Sequence, residues 1–437
     1  MRGPPSSGPS QSVLRRRKRS SRRGFRQKFR LRQGVALRGR FHYGWVIVAT
    51  GILTVISCLG FARFALGMIL PAMGESLGLS YSEMGFISTG NFIGYLIAVI
   101  LSGRLYTKFG ARKLIVTGAL TCSLMMMAVS RAEGFWQVFI AYIVTGIGTG
   151  TANVPIMALI PHWFRRSHRG RASGFIVTGS GIGIIISGWL IPLVNSALGV
   201  EGWRSNWLIL GLASIVTTII ALTFLRNDPA EVGQEPLGVD PPPSEEKAGG
   251  RELAPERAIL LLGTLYFLFG YTYVIYATFI VTTLVNEVGL SEAVAGKTWM
   301  WIGAFSLFSG PVFGALSDKL GRREGLAAVF TFQMASYLLM AFHGGMWSIY
   351  LSVGLYGFVC WAIPGIMGAA VGDYMGPQRA AMAFGTITLF FGVGQVVGPS
   401  VAGMLADASG SFSTSYMMAA AMAAVAIATT RLIPKKR

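Results

Sequence analysis

The stretch Gly314-Ala-Leu-Ser-Asp-Lys-Leu-Gly-Arg-Arg323 decides the fold, because it reads as a short charged turn between two long apolar runs. A weaker copy, Gly103-Arg-Leu-Tyr-Thr-Lys-Phe-Gly-Ala-Arg112, lies upstream in the same kind of setting. The first glycines of the two copies, at 103 and 314, are 211 positions apart. Trp136 and Trp347 are separated by the same distance, as are several glycines and cations. The constant offset predicts two halves built from one repeated unit.

The composition indicates a protein that crosses a membrane many times. Of the 437 residues, 52% are hydrophobic and 13% are charged, whereas a soluble domain carries about 25% charged residues. Apolar runs of about 18 or more residues, long enough to cross a bilayer as helices, recur along the chain, and the alternating strands of a β-barrel are not seen in the sequence. We therefore predict an all-α polytopic membrane protein with twelve transmembrane helices, at approximately 44–72, 83–103, 112–130, 135–160, 171–195, 203–225, 257–284, 293–316, 324–342, 346–372, 379–405 and 411–431.

The spans and the repeat together divide the chain into domains. Residues 41–225 are predicted to form an N-terminal six-helix bundle and residues 257–431 a C-terminal one. An even number of spans in each half gives both bundles the same orientation, so they are parallel repeats. Residues 226–256 are rich in Pro, Gly and charge, which predicts a flexible linker, and residues 432–437 form a short basic tail.

The first 40 residues contain 14 Arg and Lys and no acid, which predicts a disordered basic tail. Three interpretations remain open. The tail anchors the amino terminus in the cytoplasm and touches anionic lipid, it is an organellar targeting segment, or it is an extension upstream of the true start. The net charge of +20 lies in this tail and in particular loops, so we expect no nucleic-acid partner.

The loop charges predict the orientation in the membrane. Cations cluster after spans 2, 4 and 8 and at the carboxyl terminus, whereas the alternate loops hold few of them. Because basic loops stay in the cytoplasm, we expect both termini and the linker to be cytoplasmic. The expected location is the plasma membrane, or the inner membrane of a bacterium.

These motifs resemble the major facilitator superfamily over nearly all of residues 44–431. Its loop motif, Gly-x-Leu-x-Asp-(Arg/Lys)-x-Gly-Arg-(Arg/Lys), is satisfied throughout Gly314 to Arg323. The segment 163–174 resembles the usual loop between helices 4 and 5, and 227–233 is similar to a common ending of the first half. Residues 43–45 and 60–64 look like the monocarboxylate-transporter-like and oxalate/formate-antiporter-like branch. The resemblance implies two bundles that rock about a central site, with substrate near the midplane.

Arg63 is the one clear charge well inside an apolar span. At 1.5 Å per residue, it lies about 27 Å along the helix from Trp45 and about 15 Å from Met73. Charge at that depth usually marks a substrate pathway, and the planar guanidinium suits a carboxylate. The alternative is that the long side chain extends outward to water or headgroups.

The other candidate substrate contacts are polar or aromatic side chains at helical spacing. The candidates on spans 2 and 4 either contact substrate or, equally well, form hydrogen bonds between helices. The candidates on spans 7 and 10 either close over a partly apolar substrate or pack against neighbouring helices. Pro364 and Gly365 are expected to interrupt span 10. These candidates are Asn91, Tyr95, Thr145, Thr149, Asn153, Tyr273, Tyr276, Trp361 and Gln395.

The two loop motifs supply the candidate gating residues. The resemblance implies that the motif holds the cytoplasmic side closed in the outward-open state, with Asp318 at the start of helix 11 and Arg322 or Arg323 reaching Asp373. The first copy has Thr107 in place of the Asp and His162 in place of Asp373, which predicts an asymmetric gate. The alternative is that these loops only fix the topology. The gating set is Gly103, Gly110, Arg112, Gly314, Asp318, Gly321, Arg322, Arg323 and Asp373.

No nucleophile and base arrangement, metal-ligand spacing or phosphate-binding loop is visible, so we predict no enzyme, metal or cofactor. The predicted function is a secondary active or facilitative transporter of a small organic anion, mono- or dicarboxylate-like, acting as a monomer in the lipid bilayer. An exporter of amphipathic drugs or metabolites is the first alternative. A membrane sensor on the same scaffold that transports nothing is the second.

Overall fold

The structure is a computed structural model that describes Gly3, residues 41–240 and residues 255–434. The predictions for the rest of residues 1–40, including contact with anionic lipid, lie outside these residues. The same holds for residues 241–254 of the linker and 435–437 of the carboxyl-terminal tail.

Within the described residues, twelve helices are long and apolar enough to cross a membrane, which confirms the predicted all-α fold. The first six belong to the N-terminal half and the last six to the C-terminal half. Their bounds are α1 Gly44–Leu77, α2 Tyr81–Phe109, α3 Ala111–Val129, α4 Phe135–Trp163, α5 Arg166–Leu198, α6 Gly202–Phe224, α7 Glu256–Glu287, α8 Glu292–Leu320, α9 Arg322–Phe342, α10 Met346–Met375, α11 Pro377–Ser409 and α12 Ser413–Thr430.

The loop motifs are more helical than the sequence predicts. Helix α2 continues to Phe109 and α8 to Leu320, so most of each motif is the last two turns of a helix. The turn is confined to Gly110 in the first copy and Gly321 in the second, with φ values of 76° and 95°. Because L side chains rarely adopt such backbone angles, glycine is needed at these two positions.

Three helices depart from regular α geometry. Helix α1 contains a π-helical segment at Ile56–Phe64, and α7 ends in another at Thr283–Glu287. Helix α10 is interrupted at Cys360 and Trp361 rather than at Pro364 and Gly365. Pro364 instead lies in the first turn of the helical segment after the break, where its missing N–H costs no helical hydrogen bond.

The two halves meet through α2 with α11, α5 with α8, and α1 with α7. We call the end of the molecule that carries the α2–α3, α4–α5 and α8–α9 junctions the basic end. The tightest approaches lie toward the opposite end: a Cβ on Gly188 of α5 would lie 2.7 Å from the carbonyl oxygen of Gly296 on α8. Near the basic end, a Cβ on Gly174 or Gly385 would meet nothing within 4 Å. The halves are therefore packed together mainly at the opposite end.

Polar contacts reinforce this packing. The carboxylate of Asp407, at the end of α11, accepts hydrogen bonds from the amides of Tyr81 and Ser82 at 2.9 and 2.8 Å. These amides begin α2, where the helix dipole favours negative charge. Across the other interface, the amide of Asn195 donates to Glu292 at 2.8 Å. Asp407 therefore joins the end of α11 to the start of α2, and Asn195 joins the end of α5 to the start of α8. Both contacts cross between the two halves.

We expect Asp407→Asn to loosen the opposite end, because hydrogen bonds to a charged group are worth about 1.5–3 kcal/mol. Losing that free energy raises the fraction of molecules open at the opposite end by roughly tenfold or more. Ser88→Cys in a cysteine-free background reports on opening, since Ser88 is buried with its hydroxyl 3.1 Å from that of Thr278 on α7. Labelling by an impermeant maleimide from the opposite side should accelerate. Glu133→Gln, in the exposed α3–α4 loop at the same end, is the matched control, and equal labelling of the two variants would contradict the role of Asp407.

Candidate functional site

Arg63 lies in the π-helical segment of α1 and is 8% exposed. Its Nε donates to the side-chain oxygen of Asn91 on α2 at 2.9 Å. The guanidinium carbon is 4.9 Å from the ring centroid of Phe92 and 4.3 Å from that of Tyr95. The cation is therefore enclosed by one amide and two aromatic faces, which attract it through their quadrupoles. The described residues contain no acidic partner for it.

The C-terminal half brings a second group of polar and aromatic side chains toward Arg63. The amide of Gln395 on α11 donates to the hydroxyl of Tyr273 on α7 at 2.5 Å. The Tyr273 ring lies 5.9 Å from that of Trp361, at the break in α10. Trp361 in turn lies 5.3 Å from Phe64, the neighbour of Arg63. The predicted contacts of α1 and α2 thus meet those of α7, α10 and α11 at the interface between the halves.

Several buried polar atoms of this group have no hydrogen-bond partner in the described part of the chain. They include two donors of the Arg63 pair, Nη2 of Arg63 and Nδ2 of Asn91, and the indole N–H of Trp361. The side-chain oxygens of Asn153 and Gln395 are the unpartnered acceptors. Buried polar groups are nearly always bonded, so this cluster is the best candidate for a site completed by a ligand.

Asn153 joins the group through Tyr95, whose hydroxyl lies 3.3 Å from the Asn153 amide nitrogen. A small cavity of about 10 Å³ lies on the other side of Arg63 and is lined by Asn91, Phe92 and Thr278 among others. That volume holds about one water molecule. The space beside Arg63 on that side is therefore no larger than a water molecule.

The structure places three of the predicted contacts elsewhere. Thr145 and Thr149 on α4 are fully buried and donate to carbonyls of their own helix, and Thr149 also contacts the Cys58 carbonyl on α1 at 3.2 Å. Tyr276 donates to or accepts from Ser352 at 2.8 Å and stacks on Tyr356 inside the C-terminal half. Thr149 and Tyr276 thus connect helices in this structure, and the Thr145 hydroxyl is bonded within α4.

Sequence reasoning missed two aromatic residues of this region, Phe92, whose ring lies 4.9 Å from the guanidinium carbon, and Phe64, which packs on Trp361. Phe92 follows Asn91 in the sequence and Phe64 follows Arg63. Their position next to a predicted polar contact was the one feature of the sequence that could have identified them. No sequence pattern predicted the π-helical segment in which Arg63 lies.

At the basic end, Arg322 joins two helix ends. Its Nε is 2.6 Å from Asp373 at the end of α10, and its Nη1 is 2.5 Å from Asp318 at the end of α8. The predicted Arg322–Asp373 pair is therefore present. The predicted contact of Asp318 with the start of α11 is not seen in the described residues, because the carboxylate is engaged by Arg322. Arg323 instead lies 3.7 Å from Glu324.

The first motif copy is held together without acids. Arg112 donates from Nη2 to the Leu222 carbonyl at 2.6 Å, and its backbone amide donates to Asn227. The Thr107 hydroxyl bonds only to carbonyls of its own helix. A Cβ on Gly103 or Gly314 would meet nothing within 4 Å, so neither glycine is required by packing in this conformation.

Twelve membrane-spanning helices in two repeated halves, with a buried polar cluster between them, define a membrane transporter of the major facilitator superfamily. The family model described as "Uncharacterised MFS-type transporter YbfB" matches residues 55–431. The chain belongs to this family of MFS-type transporters.

Comparisons with individual proteins agree with this assignment. The chain is 24% identical to the hexuronate transporter of Bacillus subtilis, over 83% of this chain and 88% of that one. It is 22% identical to human monocarboxylate transporter 2, over 88% and 84% of the two chains. A solved bacterial homologue of the human lysosomal transporter Spinster, in an inward-facing and occupied conformation, superposes with a TM-score of 0.69 at 16% identity, covering 90% of this chain and 97% of that one. That likeness concerns the fold.

We expect Asp318→Asn to slow transport far more than Thr107→Ala. Asp318 shares Arg322 with Asp373 at the joint of three helix ends, whereas Thr107 bonds only within α2. Stability should change little, because exposed ion pairs are worth about 0–1 kcal/mol, so the effect should fall on rate. Initial transport rates at matched protein abundance measure it, and equal effects of the two substitutions would refute the asymmetry.

Proposed function

We propose that this transporter moves a small organic anion, mono- or dicarboxylate-like, by alternating access, and that Arg63 binds the carboxylate. The observation that carries the proposal is the burial of Arg63 between the halves without an acidic partner in the described residues. The transport is secondary active or facilitative, and no metal, cofactor or catalytic step enters it.

The surroundings of Arg63 favour an anion over a neutral ligand. A buried charge costs several kcal/mol unless it is paired, and Asn91 with two aromatic rings compensates it only in part. The guanidinium retains Nη2 for a carboxylate oxygen, and the amide of Asn91 retains Nδ2. A carboxylate is planar and accepts two parallel hydrogen bonds, so it can accept from both Nη2 of Arg63 and Nδ2 of Asn91.

The remaining free groups extend the proposed site into the C-terminal half. The indole N–H of Trp361 is a further donor, and the side-chain oxygens of Gln395 and Asn153 are acceptors. Tyr95 and Tyr273 line the same region. The names of two relatives, for hexuronate and monocarboxylate, denote carboxylates and support the same class of substrate. Thr145, Thr149 and Tyr276 serve in this proposal as supports of the helices that carry the site.

The orientation follows from the loop charges. We place the basic end, the linker and both termini in the cytoplasm of a plasma membrane or bacterial inner membrane. Because the halves are packed together at the opposite end, we infer that this conformation faces the cytoplasm. The gating role proposed for the two loop motifs belongs to the outward-open state. The protein acts as a monomer within the bilayer.

An exporter of amphipathic compounds is the second candidate, on one observation. Tyr266, Phe269, Tyr273 and Phe391 form a continuous stack, with Tyr266 and Phe391 centroids 4.5 Å apart. Such a surface suits an apolar ring. However, these aromatic faces are already in contact with each other, whereas Nη2 of Arg63 and Nδ2 of Asn91 have no partner in the described residues, so the anion transporter has the stronger support.

In proteoliposomes, saturable uptake of a carboxylate should be nearly abolished by Arg63→Ala and partly retained by Arg63→Lys. Losing a charge-assisted hydrogen bond of about 2 kcal/mol or more lowers apparent affinity roughly 30-fold. Lysine keeps the charge without the planar fork. Arg104→Ala, an exposed cation at the end of α2, is the control and should leave uptake unchanged. Full activity of Arg63→Ala would overturn the proposal. A panel of carboxylates, with and without a pH gradient, identifies the substrate, and flux of amphipathic compounds without any carboxylate flux would favour the exporter.

A further inference from the structure

A groove runs along the outer surface of the N-terminal half at the basic end, between the end of α2, the start of α3 and the end of α6. Its volume is about 580 Å³, within the range of about 300–1,000 Å³ that holds small ligands. Leu105, Phe109 and Leu222 form its apolar walls, and Arg112 and Lys113 lie at its mouth. Phe109 and Leu222 are 44% and 52% exposed. The apolar walls therefore lie on the surface of a protein whose surroundings are lipid.

The two cations at the groove have no acidic partner among the described residues. Arg112 is bonded only to the Leu222 carbonyl through Nη2, and its buried Nε has no partner. Lys113 is exposed. The nearest acids in the linker, Asp228 and Glu231, are turned toward backbone amides of their own segment: Glu231 accepts from the amides of residues 227 and 228, and Asp228 from that of residue 230. Two positive charges thus border the groove uncompensated.

The second half shows that this arrangement is particular to the first. By the offset of 211, Arg112 corresponds to Arg323 and Lys113 to Glu324. Arg323 lies beside Glu324, which also lies 3.6 Å from Arg431. The C-terminal half therefore neutralises its cations with acids of its own, whereas the N-terminal half has a lysine in place of the acid.

We propose that this groove is a binding site for an anionic phospholipid of the leaflet at the basic end. Its phosphate lies between Arg112 and Lys113, and an acyl chain follows Leu105, Phe109 and Leu222. The start of α3 is at the level where a membrane helix emerges into the headgroups, where cations attract anionic lipid. The apolar wall matches the acyl chain of a phospholipid, and the pair of cations beside it matches the phosphate. A soluble anion would leave the apolar wall uncovered. The inference is independent of the transported substrate.

The test is native mass spectrometry of the full-length, delipidated protein titrated with phosphatidylglycerol or with phosphatidylcholine of the same chains. We expect a saturable phosphatidylglycerol site that the double substitution Arg112→Gln, Lys113→Gln weakens at least tenfold. The control Arg104→Gln, Arg166→Gln removes the same charge from two exposed cations of the basic end that do not line the groove. It should leave the affinity within twofold. Equal weakening by both pairs, or equal affinity for the two lipids, would overturn the proposal.

Two single variants test the cation and the apolar wall of the groove separately, and they are chosen so that the protein still folds. Lys113→Gln changes an exposed side chain and should weaken phosphatidylglycerol binding about threefold without lowering the melting temperature. Thr117→Trp fills the groove without changing charge, since Thr117 lines it. It should also weaken binding of the lipid, while glycerol phosphate, which has no acyl chain, should fail to compete at equal concentration. Unchanged lipid affinity in Thr117→Trp, or effective competition by glycerol phosphate, would show that no acyl chain occupies the groove.

Discussion

A guanidinium in the apolar interior of a membrane protein has to be stabilised by its surroundings, and much of the central architecture serves Arg63 in this way. Arg63 lies buried in the π-helical segment of α1, Asn91 accepts its Nε hydrogen, and the rings of Phe92 and Tyr95 cover its faces. This environment keeps the charge in place but leaves Nη2 unbonded. The anion site proposed here differs from a structural salt bridge, in which both charges belong to the protein.

The differences between the two halves carry more functional information than their similarity. Both motif copies end a helix at a glycine with positive φ, so the repeat fixes the backbone of both turns. The charges around those turns differ: Arg322 is bonded to Asp318 and Asp373, whereas Arg112 is bonded to a carbonyl. The same backbone therefore supports an ion-pair network in one half and, among the described residues, cations without an acidic partner in the other. A mechanical role suits the former and a lipid contact suits the latter.

The sequence predicts the fold well because apolar length and the 211-residue repeat are properties of the chain itself. It also identifies Arg63, Asn91, Tyr95, Trp361 and Gln395, which the structure brings to one region, because polar residues are conspicuous in apolar spans. It does not distinguish these from Thr149 or Tyr276, since a polar group at helical spacing bonds equally well to another helix. That choice depends on the rotation of each helix and on local breaks, such as the π-helical segment of α1, which no periodicity reveals.

The geometry also links the central site to the closure at the opposite end. Helix α2 carries Asn91 at the site and, about 15 Å away along the same axis, the Tyr81 amide that bonds Asp407 of the other half. A ligand shifts a conformational equilibrium only by its difference in affinity between the states. Trp361 and Gln395 belong to the C-terminal half and Arg63 to the N-terminal half, so an anion that bonds both sets is held best when the halves are close at the level of the site. Under the proposed function, binding would favour conformations in which the halves approach there, and α2 would connect that preference to the contact with Asp407.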